Sequence, residues 1–201
     1  MIDDRARSIA KLVRSCFDDL VQVGFTAKRT RAYRDEPVPC DVVLEKHRYP
    51  DPDLGPEYDW YVSFAPPGAD MADGRSYQPI VVYRQSIQSG LDYYRMGSEE
   101  EVQRFREDFV ARTLPLIASV TTVSSIVEKI VNHDFRLIIG DEDDEAFVAA
   151  KAMVDVIADT QLPAGVEEVA RSTVRAALSK YPALRHDVDR YLTERGVEVA
   201  P

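Results

Sequence analysis

The sequence contains very little cysteine and no long apolar run. Its two cysteines, Cys16 and Cys40, fall on the apolar stripe of a helix-like segment and at the start of a strand-like segment. We therefore expect two buried free thiols rather than a disulfide. The N-terminal stretch MIDDRARSIA is charged and lacks the apolar core of a secretory signal, and no apolar run is long enough to span a membrane. These absences predict a protein of the reducing cytoplasm with no membrane partner.

Motifs for nucleotide, metal and nucleophilic chemistry are also missing. The sequence has no Walker loop, no GxGxxG, no GxSxG elbow, no HExxH and no CxxC. Its three histidines, His47, His133 and His186, are far apart, so they do not suggest a zinc site. The sequence therefore predicts no cofactor, no metal site and no identifiable catalytic residue.

Positive charge is the third shortage. The chain has a formal net charge of -10 and a pI of about 4.8, which disfavours nucleic-acid binding because phosphates are contacted by clustered Lys and Arg. Residues 1–97 hold 13 basic and 15 acidic residues, a net of -2, whereas residues 98–201 hold 12 and 20, a net of -8. The second half thus favours a basic partner. The basic stretch Lys28–Arg34 leaves nucleic-acid binding as a third-ranked alternative.

The first half of the sequence predicts a helix followed by several strands. Apolar residues at helical spacing predict a helix over residues 3–23, and Gly24 is typical of a helix end. Short turn-rich segments then separate the candidate strands, and they are too short to contain crossover helices. The four candidate strands are residues 25–34, 40–48, 58–64 and 78–85. They most simply form an antiparallel meander.

The second half is predicted to be helical. Ser98 and Glu101 have the spacing of a capping box, and Pro115 is expected to interrupt the helix that follows. Residues 135–140 fit a short strand or the end of a helix equally well. We divide the chain into an α+β domain, 1–135, and a helical extension, 141–201, packed on it as one unit. The further candidate helices are 121–132, 143–159, 165–180 and 183–195.

Five consecutive acidic residues run from Asp141 to Glu145. The spacing begins like an EF-hand loop, but Ala146 and Ala152 stand where that loop needs Gly and a closing Glu. Carboxylates at the start of a helix stabilise it through the helix dipole, so a helix start is the simplest interpretation. The alternative is an acidic partner-binding surface formed by Asp141, Glu142, Asp143 and Asp144.

Aromatic residues are concentrated in the middle of the chain. In YDWYVSF, residues 58–64, strict alternation predicts that Trp60 lies in the core and that Tyr61 lies on the opposite face. We place Tyr83 on the same face as Tyr61, where the two tyrosines would form a recognition surface. A place in the core, or cover by the following helices, is the alternative.

The order of these segments resembles a family of bacterial domains of unknown function. The shared pattern is a helix, GF, a strand meander and a helix ending in LPLI, and it covers roughly Ile9 to Val131. The resemblance implies a helix-plus-antiparallel-sheet fold and no established activity. Because such small domains occur among bacterial toxin-immunity and defence proteins, it also implies a binding role. The residues that carry the resemblance are Gly24, Phe25, Tyr33, Trp60, Leu114 and Pro115.

We therefore predict an α+β protein in which an N-terminal helix packs on a four-stranded antiparallel meander and a helical C-terminal half follows. The predicted function is a non-enzymatic cytoplasmic protein-binding module, immunity- or antitoxin-like, with an acidic helical face for a basic partner. The alternative is an enzyme of unrecognised type that uses the polar face of the sheet. The sequence does not define the oligomeric state.

Overall fold

The computed structural model describes residues 2–47, 56–67, 69–72, 81–91, 93–132, 134, 142–180 and 182–199. The strands are β1 (Thr26–Lys28), β2 (Arg31–Arg34), β3 (Cys40–Lys46), β4 (Glu57–Phe64), β5 (Val81–Arg84) and β6 (Tyr94–Arg95). The helices are α1 (Ile2–Gln22), α2 (Gln85–Gln88), α3 (Glu99–Asp108), α4 (Leu114–Ser119), α5 (Val123–Val131), α6 (Glu142–Asp159), α7 (Ala164–Lys180) and α8 (Arg185–Arg195). The predicted α+β architecture, with a leading helix, an antiparallel sheet and a helical second half, is confirmed.

The sheet has more strands than the sequence predicted. Its order is β1-β2-β3-β4-β5, every pairing is antiparallel, and β6 pairs with the same strand, β4, as β5 does. The predicted strand 25–34 is in fact a hairpin, because Arg29 and Thr30 form a two-residue turn between β1 and β2. The predicted strand 78–85 ends one residue early, since Gln85 begins α2.

The two faces of the sheet differ in character. The inner face carries Trp60, Val62 and Phe64 from β4, all fully buried, so the prediction that Trp60 is core is confirmed. The ring centroid of Trp60 lies 5.3 Å from that of Phe17 on α1 and 5.1 Å from that of Phe109. The outer face is polar. A small hydrophobic cluster on this face, separate from the main core, consists of Tyr33, Ala65 and Met71.

Cap residues fix the ends of several helices. Gly24 follows α1 with a φ of +92°, the left-handed conformation that glycine adopts without strain. The Ser98 hydroxyl accepts a 3.2 Å hydrogen bond from the Glu101 amide at the start of α3. Thr122 and Ser125 form a reciprocal capping box at the start of α5. The sequence therefore determines these boundaries locally.

Pro115 does not interrupt the helical path as predicted. A π-helical segment, Phe109–Thr113, joins α3 to α4, and Pro115 lies in the first turn of α4. The Leu114 amide donates to the Phe109 carbonyl, five residues back. Proline lacks an N–H and clashes with the carbonyl four residues before it in a regular helix. The first turn of a helix tolerates proline, so the path continues to Ser119.

The helical half packs into the same core as the sheet. Buried residues of α1, β4 and α3 belong to one continuous cluster with Ala150, Met153, Val174 and Leu192 from α6, α7 and α8. Cys16 and Cys40 are free and buried, as predicted. No helix in the described ranges combines the length and the apolar character needed to cross a membrane.

Part of the acidic run lies outside the described residues. The predicted helix 143–159 is confirmed as α6, which begins at Glu142, so residues 142–145 form its first turn. This agrees with the interpretation of the run as a helix start. Asp141 and residues 135–140 are outside the described part, as are the side chains of Glu142, Asp143 and Asp144.

Candidate functional site

A fully buried carboxylate organises the outer face of the sheet. Asp59, on β4, accepts hydrogen bonds from the Arg84 Nε at 2.8 Å and from the Ser86 amide and hydroxyl at 3.0 and 2.5 Å. The Trp60 amide also donates to it, at 2.8 Å. Burial raises the pKa of Asp59, although the bonds from Ser86 and the charge of Arg84 oppose this shift. Asp59 thereby ties the start of α2 to the strand beside it.

Arg84 is held between aromatic rings by this arrangement. It is paired with Tyr61 in the register of β4 and β5, and its guanidinium carbon lies 5.0 Å from the centre of the Tyr61 ring. The same carbon lies 4.7 Å from the centre of the Tyr93 ring. Cation–π contacts at such distances are attractive, and they are stronger where water is excluded. Burial raises the pKa of Tyr61 to about 12, so its hydroxyl stays protonated at neutral pH.

His47 extends this cluster toward an open cleft. Its ring stacks on Tyr93 with the centroids 4.3 Å apart, and its Nδ1 lies 3.0 Å from a carboxylate oxygen of Glu57. Glu57 also lies 3.8 Å from the Nε of Arg95. The cleft has a volume of about 840 Å³ and is also lined by Glu101 and Arg104 of α3. Its wall therefore presents both signs of charge around an aromatic ring.

The far wall of the cleft is fixed to α3 by hydrogen bonds. The Tyr94 hydroxyl donates to Asp108 at 2.6 Å, and the Ser89 hydroxyl contacts both groups, at 3.0 Å from Asp108 and 2.6 Å from Tyr94. Burial raises the pKa of Tyr94, which keeps this phenol a donor. The segment between α2 and β6 is consequently anchored at the residues that border the cleft.

Neither a metal cluster nor a reactive cysteine accompanies the cleft in the described part of the chain. Within the described ranges, no group of three or more His, Cys, Asp or Glu residues could hold a metal ion. Burial raises the pKa of Cys16 to about 12, which makes it a poor nucleophile. Comparisons of the chain with family models, with curated proteins and with solved structures find no match. The geometry of the cleft is therefore the basis for a functional assignment.

The structure separates the residues that the sequence grouped as a site. Tyr61 lies on the outer face beside Arg84, as expected. Tyr83 does not share that face: it is 1% exposed and is paired with Val62, an inner-face residue. Because side chains alternate along a strand, the pairing of Tyr61 with Arg84 places the neighbouring Tyr83 on the core side. The prediction that Tyr83 lies on the same face as Tyr61 is wrong.

Three important members of the cluster were not predicted. His47, Arg84 and Tyr93 are separated in sequence and belong to no motif. The alternation in β4 marked Tyr61 as outward, and a correct β4–β5 register would have placed Arg84 beside it. The register could not be predicted, because it depends on where the chain returns after residues 65–80. The position of Tyr93 depends on α2, a four-residue helix without a sequence signal.

Proposed function

We propose that the protein is a non-enzymatic protein-binding module that contacts its partner through the outer-face cleft. The observation that carries this proposal is the Arg84 side chain held by Asp59 between Tyr61 and Tyr93. Tyrosine and arginine are enriched among the residues that dominate binding energy at protein interfaces. Side chains that are already fixed lose less conformational entropy on binding than mobile ones do.

A basic, cytoplasmic protein is the partner that fits this module best. Residues 98–201 carry a net charge of -8, and the first turn of α3 beside the cleft consists of Glu99, Glu100 and Glu101. Complementary charge accelerates association and disfavours wrong partners. Asp141, Glu142, Asp143 and Asp144 would add to this negative surface. An immunity- or antitoxin-like role, in which a basic toxin is neutralised, is one function of this kind.

Affinity capture with matched variants tests the proposal. The wild-type chain, a Tyr61→Ala/Tyr93→Ala variant and an Arg190→Ala control would serve as baits, with captured proteins quantified by mass spectrometry. Arg190 is an exposed residue of α8, far from the cleft in sequence and absent from its lining. We expect a basic protein that the wild type and the control capture equally and that the cleft variant captures at least about tenfold less. Circular dichroism would confirm that all three baits are folded.

Two outcomes would count against the proposal. Equal capture of every protein by the wild type and the cleft variant would exclude the cleft as the contact surface. Failure to enrich any protein over the bare resin, from several growth conditions, would argue against a binding module altogether.

A second candidate function has one observation in its favour. The His47 Nδ1 lies 3.0 Å from Glu57, the arrangement by which a carboxylate orients an imidazole for general acid–base catalysis, and both residues line the cleft. This would make the polar face of the sheet an active site. If so, turnover found in a panel of hydrolase and transferase substrates should fall at least about a hundredfold in His47→Gln. Unchanged turnover in that variant would rule His47 out.

A further inference from the structure

A second, apolar groove lies on the opposite side of the sheet, between α1 and the inner face. It has a volume of about 1150 Å³, and its apolar lining includes Val13 and Phe17 of α1 and Leu44 and Tyr58 of the strands. It shares no lining residue with the outer-face cleft. Phe17 is buried, but Val13, one turn earlier, is only partly buried. The part of α1 around Val13 therefore leaves some of its apolar stripe uncovered within the described part of the protein.

The rim of this groove is basic, although the chain as a whole is acidic. Arg14, Arg29 and Lys46 lie along it, and Asp18 is the acidic residue among its lining. None of the three basic side chains forms an ion pair within the part of the chain that the structure describes. An apolar floor with three basic side chains at its edge complements a ligand with one apolar face and acidic flanks.

Arg29 reaches this rim from a strained backbone position. It is the first residue of the two-residue turn between β1 and β2, and its φ is +54°. Residues other than Gly, Asn and Asp are disfavoured in this left-handed region, and hairpin turns prefer Gly or Asn there. Arg29 thus occupies a position of the turn at which glycine would make the protein more stable. Strain of this kind is commonly found at functional positions.

We propose that this groove binds an acidic amphipathic helix of a protein partner. Its volume exceeds the roughly 300–1,000 Å³ of ordinary small-molecule pockets. A hydrophobic groove beside a helix is a recurrent binding site for amphipathic helices, which anchor through apolar residues at positions i, i+3, i+4 and i+7. The basic rim selects acidic flanks on such a helix. This surface is independent of the outer-face cleft, so a negative binding result for one of them leaves the proposal for the other unchanged.

A displayed peptide library provides the test without a known partner. The library would fix Leu at i, i+3, i+4 and i+7 over about four helical turns and randomise the remaining positions among Glu, Gln, Lys and Ala. Selection on the full chain should enrich Glu beside the Leu positions. The best peptide, labelled and titrated by fluorescence anisotropy, should bind about threefold more weakly to Arg29→Gly and to Lys46→Gln.

The variants are chosen so that loss of binding cannot be attributed to unfolding. Arg29→Gly places the favoured residue in the turn, so its denaturation midpoint should be equal to or above that of the wild type while binding weakens. Lys11→Gln is the matched control, because Lys11 is an exposed lysine of α1 that does not line the groove. Its affinity for the peptide should equal that of the wild type.

Several outcomes would overturn the proposal. These are enrichment of Lys instead of Glu, no enrichment over the unselected library, and equal affinity of the wild type and Arg29→Gly. Binding to phosphatidylglycerol vesicles that Arg29→Gly abolishes, without any peptide selected, would assign the groove to a lipid surface. A concentration-dependent dimer in sedimentation that Lys46→Gln weakens would assign it to a second copy of the chain.

Discussion

At the scale of single residues, Asp59 shows how a buried carboxylate can position a side chain that lines a surface cleft. The carboxylate has no exposed area, yet it accepts four hydrogen bonds and holds Arg84 at the cleft. Removing a carboxylate from water is costly, and hydrogen bonds and an opposite charge offset that cost. The net result is a raised pKa for Asp59.

This shift predicts a pH dependence of stability that Asp59→Asn should remove. A carboxyl group whose pKa is higher in the folded state binds more protons there than in the unfolded chain. Its contribution to the free energy of unfolding is therefore fully present below the unfolded pKa of about 3.8 and is lost as pH rises through the folded pKa. Urea denaturation of both proteins between about pH 3 and 8 measures this. The wild-type free energy minus that of the variant should decrease over that window, and a difference that rises with pH would contradict the shift.

The sequence revealed the faces of β4 but not the role of Asp59. Alternation placed Trp60 inside and Tyr61 outside, because a strand exposes successive side chains to opposite faces. The same alternation places Asp59 on the outer face with Tyr61, and it contains no sign that this carboxylate is fully buried. Its burial depends on Ser86, which lies 27 positions later and whose amide and hydroxyl point at the carboxylate. A contact of that separation leaves no periodic pattern in the sequence.

At the scale of elements, a buried polar network accompanies the π-helical segment between α3 and α4. The Thr113 hydroxyl donates to the Gln85 side-chain oxygen at 2.7 Å, and the Gln85 amide nitrogen donates to the Phe105 carbonyl at 3.1 Å. The hydroxyl oxygen of Tyr83 lies 3.3 Å from the hydroxyl oxygen of Thr113. The network joins the end of β5 to the irregular turn of the helix.

Replacing Gln85 by Met should destabilise the protein by about 1–3 kcal/mol. Methionine is similar in size, but it removes the acceptor of the Thr113 hydroxyl and the side-chain donor to the Phe105 carbonyl, and both groups are buried. The control is Gln103→Met, because Gln103 is exposed on α3 and bonds Glu107 at the surface. That change should cost less than about 0.5 kcal/mol. Chemical denaturation of the three proteins decides the matter, and equal losses in both variants would mean that the network contributes little.

Long elements with local signals were predictable, and short ones were not. The helices α1, α6, α7 and α8 followed from apolar periodicity, and the cap at Ser98 marked the start of α3. β6 has two residues and α2 has four, too few for any period to appear. The prediction for Pro115 is wrong because it rests only on the local rule that proline ends a helix. The π-helical segment before Pro115 places this proline in the first turn of α4, where a helix tolerates it.

At the scale of the whole molecule, the uneven charge should act on the rate of association. Replacing Asp141, Glu142, Asp143 and Asp144 by Asn or Gln should slow binding to a basic partner several-fold at low salt and leave dissociation nearly unchanged. The difference should vanish at about 0.5 M salt, because the Debye length is already only about 8 Å at physiological ionic strength. Surface-binding kinetics with a partner captured as above would measure both rates. The same association rate for both proteins at low salt would show that the run serves only to start α6.

The order of the strands has a further consequence for the solubility of the chain during folding. The longest strands, β3 and β4, have seven and eight residues and lie in the interior of the sheet. The outermost strands are much shorter: β1 has three residues at one edge, and at the other edge β5 and β6 occupy separate parts of β4 with α2 between them. An unpaired strand edge is a template for fibrils, and shortness is one way in which natural proteins blunt it. In the described part of the sheet, neither edge offers a long continuous row of backbone groups on which a second chain could grow.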